Sequence, residues 1–176
     1  MRLSTTVVAL VGERAPECLE ALRQAANVRV VRPDPQDAPL ERAMAAYRVA
    51  AGTNVPYLAH DADPLAPVAD AWIRRFDEQA PAGELEVAVS ETLQRWRADS
   101  IALPDYYLVL DADTWEATRR HWYLGFLHRA APSRVVPTAG TASAVTEQLP
   151  RLASGRWWPG LDRLLEDVDR VVPDRA

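Results

Sequence analysis

The sequence predicts an α/β protein, a parallel sheet with helices on both faces. Three observations carry that expectation. Apolar, β-branched runs alternate with segments of helical period along the chain, because parallel neighbours need crossover connections. The strongest run, TTVVALV at 5–11, is apolar without interruption, the pattern of a strand buried on both faces. A strand-turn-helix phrase also occurs twice: YLAHDADPLAPVADAWIRRF (57–76) and YLVLDADTWEATRRHWYLGF (107–126) share seven residues at an offset of 50. Shared structure accounts for such a repeat as well as duplication does.

The elements follow in order. After the first strand, APECLEALRQAAN carries a proline suited to a first helical turn and Leu19, Leu22 and Ala26 at helical spacing. VRVVRPD (28–34) is a second strand ended by Pro33, and APLERAMAAYRVAAG (38–52) a helix closed by Gly52. VPYLAHD is a weaker third strand. PLAPVADAWIRRF and GELEVAVSETLQRW are helices separated by APAG at 80–83. DYYLVLD (105–111) is a fourth strand, dense in Tyr, Leu and Val. A helix over Thr114–Arg129, a strand SRVVPT (133–138) and two short terminal helices interrupted by Pro150 and SGRWWPG complete the chain.

Five strands wound this way predict one three-layer domain over 1–176, with flavodoxin-like order 2-1-3-4-5 and a frayed PDRA terminus. The length suits one core. Net charge is −5, and all 20 basic residues are arginines spread along the chain, so nucleic acid is not an expected partner. A lysine-free chain has no Schiff-base or P-loop lysine. One cysteine, Cys18, permits no internal disulfide, and no apolar stretch has the ~20 residues of a membrane span. The apolar run at the N-terminus is broken by Gly12, Glu13 and Arg14, unlike a signal peptide. The expectation is a soluble, cytoplasmic protein.

Ligands of open parallel sheets bind outside the carboxyl ends of the strands. Glu13, Asp61 with Asp63, Asp111 with Asp113, and the TAGTAS loop (138–143) all fall at such ends. In the order 2-1-3-4-5 the twin acidic turns are neighbours facing one crevice. Converging carboxylates call for a cation, and oxygen-only ligands favour Mg²⁺, with Asp61 and Asp111 as its ligands. Gly140 with Thr138, Thr141 and Ser143, opening a helix, suits a phosphate. Asp63 and Asp113 also have the position of helix N-caps. His60 adjoins the first acidic turn as a candidate base. The resulting expectation is a phosphorylated or nucleotide-like ligand, with Asp61, Asp111 and His60 as the residues for Mg-dependent hydrolysis or transfer.

The rival expectation is a non-catalytic module that binds itself or another protein. GRWWPG places Trp157 and Trp158 side by side, so at most one points inward, and aromatics with arginine are favoured in interfaces. Neither the dinucleotide fingerprint nor the Ser/Thr-rich phosphate loop of a flavodoxin follows the first strand, where GERAPE stands instead.

Overall fold

The structure is a computed structural model describing residues 5–77 and 80–173, so residues 174–176 of the expected frayed terminus lie outside the described residues. Its centre is one sheet of five parallel strands: β1 (Thr6–Val11), β2 (Val28–Val31), β3 (Tyr57–His60), β4 (Tyr106–Leu110) and β5 (Val135–Thr138). Between them run α1 (Ala15–Leu22), α2 (Pro39–Ala51), α3 (Ala66–Asp77) and α4 (Ala82–Arg97). A continuous helical segment, α5 (117–130), joins β4 to β5 and is π-helical over His121–Leu127. After β5 come α6 (Ala142–Gln148) and α7 (Leu161–Leu165).

The alternation of β1 explains the layers. Val8 and Leu10 pack with Leu19 and Leu22 of α1 and with Val145 of α6, whereas Ala9 and Val11 pack with α3, α4, α5 and α7. Successive side chains of a strand point to opposite faces, so an uninterrupted apolar run requires cover on both. The three-layer class and the five parallel strands are as the sequence predicts. The strand order differs in one exchange: it is β2-β3-β1-β4-β5, with β3 paired to both β2 and β1. The expected order would have put the four-residue β3 in the middle. The structure instead centres β1, the longest strand, whose last four residues are buried. Crossovers to either side keep their right hand by using opposite faces, so handedness alone does not choose between these orders.

The duplicated phrase has a packing explanation. Trp72 and Trp122 are fully buried and touch, ring centroids 5.6 Å apart, and each lies 4.9 Å from the phenylalanine four residues on. Both copies therefore feed one helix of the same layer into one aromatic cluster. His121 stacks on Trp72, and a Cβ at Gly125 would meet the His121 ring at 2.8 Å. Among the described residues no helix is long and apolar enough to cross a membrane.

Candidate functional site

The loop leaving β1 runs to α1 on one face of the sheet, while the loops leaving its neighbours β3 and β4 run to α3 and α5 on the other. Where adjacent strands send their connections to opposite faces, the backbone parts and leaves a crevice. A cavity of about 410 Å³ lies there, bounded by the Gly12–Glu13 turn, the start of α1, Asp61 to Asp63, and residues of α2, α3 and α5.

Its backbone floor depends on Gly12. The chain leaves β1 with φ +137° at Gly12, and a Cβ there would meet the Leu110 carbonyl at 3.0 Å, so a side chain is excluded twice. Pro16 has no N–H to leave unsatisfied in the first turn of α1, and no side chain caps that turn. Glu13 is exposed at the rim.

Charge in the crevice is paired. Asp61 Oδ1 accepts a hydrogen bond from Arg42 Nη2 at 2.9 Å, and both side chains are largely covered. The Arg42 Nε is buried with no protein partner. Asp63 is buried under three donors: Leu65 N–H at 2.8 Å, the Tyr107 hydroxyl at 2.8 Å and the Tyr123 hydroxyl at 2.7 Å. Burial raises the Asp63 pKa, opposed by these hydrogen bonds, and burial together with the Asp63 charge holds both tyrosines well above the usual phenol range. Asp63 thus caps the turn into α3, as its position predicts, and also ties that turn to β4 and α5. Asp70 and Arg119 complete the polar lining; burial raises the Asp70 pKa against the pull of Arg119 and Arg74.

The second acidic turn does something else. Because β1 stands between β3 and β4, the two turns are not neighbours, and this corrects the expectation of a shared Asp61–Asp111 site. Asp111 adopts left-handed backbone, φ 49°, and its Oδ1 accepts the Gly140 N–H at 2.7 Å. Its own N–H donates to the Thr138 carbonyl at 3.0 Å. The loop predicted to hold phosphate therefore already holds an anion, the Asp111 carboxylate. Thr141 Oγ1 caps α6 by accepting from Ala144 N–H at 3.2 Å and lies 3.3 Å from Ser143 Oγ, and the Thr138 hydroxyl donates to the Val136 carbonyl at 3.1 Å. Asp113 is exposed and makes no cap, since α5 begins only at Ala117, after Glu116.

The carboxylate repulsion that called for Mg²⁺ is met by protein groups, Arg42 at Asp61 and Gly140 N–H at Asp111. Among the described residues no group of three or more His, Cys, Asp or Glu could hold a metal ion. His60 is buried at the end of β3, its Nδ1 accepting the Ala62 N–H at 3.1 Å. Burial and the nearby Arg42 charge lower its pKa to about 4, so it is a neutral imidazole and does not line the crevice.

The tryptophan pair divides as one-in, one-out. Trp158 is buried and donates its indole N–H to the Pro104 carbonyl at 2.8 Å, which corrects its assignment to an interface. Trp157 is 41% exposed and covers the buried Arg134, whose guanidinium sits 4.2 Å from the Trp157 ring and 4.7 Å from Tyr106. Cys18, on the inner face of α1, is buried in the core, and burial raises its thiol pKa, the opposite of an activated nucleophile.

Sequence reasoning missed Arg42, Asp70, Arg119 and Tyr123. None sits at a strand end; each reaches the crevice from a helix packed across it, and only tertiary structure supplies that adjacency. The π-helical turn that sets the register of Tyr123 had no signal in the periodicity either. Comparison of the chain with protein-family models, with curated proteins and with solved structures returned no match.

Proposed function

We propose that the protein binds a phosphorylated small molecule, a sugar phosphate or nucleotide, in the crevice outside β1 and β3. The observation that carries this reading is the composite lining of the cavity at the point where the loops part. The lining includes cationic groups suited to phosphate, Arg42 and Arg119, beside the Gly12 turn and the N-terminal end of α1. Beside them stand carboxylates, Asp61 and Asp70, that accept from hydroxyl groups. A ligand with both a phosphate and hydroxyl donors matches both kinds of group. Arg42 can turn its guanidinium from Asp61 toward phosphate, releasing Asp61 to a hydroxyl.

Thermal unfolding tests this reading with a panel of ribonucleotides and sugar phosphates, each beside its dephosphorylated form, with and without millimolar Mg²⁺. A ligand in hundredfold excess over its Kd stabilises by about 2.7 kcal/mol. In a chain of this length that raises the midpoint by about 5 °C or more. The rise is expected for at least one phosphorylated compound without Mg²⁺, is absent for its dephosphorylated partner, and is lost in Arg42→Gln. A midpoint that no compound moves overturns the proposal.

A further inference from the structure

A second cavity, of about 530 Å³, lies on the helix-covered face of the sheet over β1 and β3. It shares the 60–64 turn with the crevice: His60 and Pro64 line this cavity, Asp61 and Asp63 the crevice, and Ala62 both. The cavity exists because α2 presents alanines there, among them Ala46 and Ala50, where larger side chains would fill the gap between helix and sheet. Trp96, Trp157 and Trp158 form the facing walls.

The floor holds one group that needs a partner. The His60 ring is 4% exposed and lines the cavity. With Nδ1 taken up as acceptor of the Ala62 N–H, the neutral ring carries its proton on Nε2, which meets no acceptor among the described residues and is open to the cavity. A donor left open in an aromatic-walled cavity offers its hydrogen bond to an acceptor on a ligand. The acidic groups at the cavity, Asp99 and Asp105, disfavour an anion. Both also serve the fold, Asp99 accepting from the Tyr47 hydroxyl at 2.9 Å and Asp105 from the Val7 N–H at 2.6 Å.

We propose that this cavity is a second binding site, for a flat, neutral, largely apolar small molecule whose carbonyl or ring acceptor takes the hydrogen bond from His60 Nε2–H. The site stands independently of the crevice ligand. The shared turn makes the two sites adjacent, so one ligand can be sensed at the other.

Coumarin, planar and neutral with one lactone carbonyl, is the probe. Titrated to millimolar concentration into ¹⁵N-labelled protein, it is expected to shift the indole N–H signals of Trp96 and Trp158 and the amides of Ala46 and Ala62. Ala46→Leu, which fills the cavity, is expected to abolish those shifts; Ala51→Leu, at the more exposed mouth, serves the same purpose if the first variant does not fold. His60→Phe keeps a ring without the donor and is expected to weaken coumarin about three- to tenfold, the worth of one hydrogen bond. His60→Met, flexible and without a donor, is the alternative if that variant does not fold. No shift at the cavity, or shifts that persist in the filled variant, overturns the proposal.

Discussion

Replacing Asp63 with alanine is expected to cost ~3 kcal/mol or more of folding stability, a loss tied to the removal of a buried hydrogen-bond hub. Its carboxylate is the common acceptor for Leu65 N–H and for the Tyr107 and Tyr123 hydroxyls, which come from β4 and α5. Alanine leaves all three donors without that acceptor, and the cost of an unsatisfied buried group exceeds the net worth of the bond. Asparagine keeps an oxygen in place and turns its amide toward a tyrosine hydroxyl that can accept, so Asp63→Asn is expected to cost ~1 kcal/mol. Tyr107→Phe and Tyr123→Phe each remove one donor and should fall between the two. Urea unfolding of the four variants checks the order; an Asp63→Ala protein as stable as the wild type would show that the hub stabilises nothing.

The second large effect is on pH. His60 has a native pKa of about 4, depressed by burial and by the Arg42 charge from an ordinary value of 6.5. A group depressed on folding contributes stability that is present above its unfolded pKa and lost as pH falls through the native value. The window therefore runs from pH 6.5 down to 4. At about 1.4 kcal/mol for each pH unit between the two values, the loss amounts to about 3 kcal/mol. Asp63 and Asp70 act in the opposite sense: burial raises them, so their contribution is full at low pH and declines as pH rises through their native values. Comparison with His60→Asn, whose oxygen can accept the Ala62 N–H, separates the histidine from the carboxylates. Wild type is expected to lose about 3 kcal/mol more than this variant between pH 7 and pH 4. Parallel stability curves for the two proteins would mean that His60 is protonated in the fold without penalty.

The strands were legible because their signals are local. TTVVALV could only be a strand covered on both faces, and DYYLVLD is nearly as plain; the helices followed from spacing and from Pro16, Pro39 and Gly52. Strand order was less legible, because right-handed crossovers permit β3 on either side of β1. That single exchange decides whether the Asp61 and Asp111 turns meet. The repeated phrase was legible as architecture through Trp72 and Trp122, which pack together, while its aspartates diverged: Asp61 found Arg42, Asp63 found two tyrosines, and Asp111 found Gly140. Each of those partners lies 19 or more residues away, beyond the reach of any local pattern. The crevice of the structure lies at the carboxyl edge of the sheet but between β1 and β3, away from the Asp111 turn, and its arginines come from helix faces whose orientation only the packed structure defines.

The proposed phosphate site requires an anion seat behind Gly12, and an NMR titration with inorganic pyrophosphate tests it most directly. In ¹⁵N-labelled protein, saturable shifts are predicted at the amides of Gly12, Glu13 and Arg14 and at Asp61, with the Arg42 side-chain signals moving in step; Arg42→Gln is predicted to remove them. Pyrophosphate that shifts nothing at millimolar concentration, or shifts only Thr141 to Ser143 beside Asp111, would contradict the account.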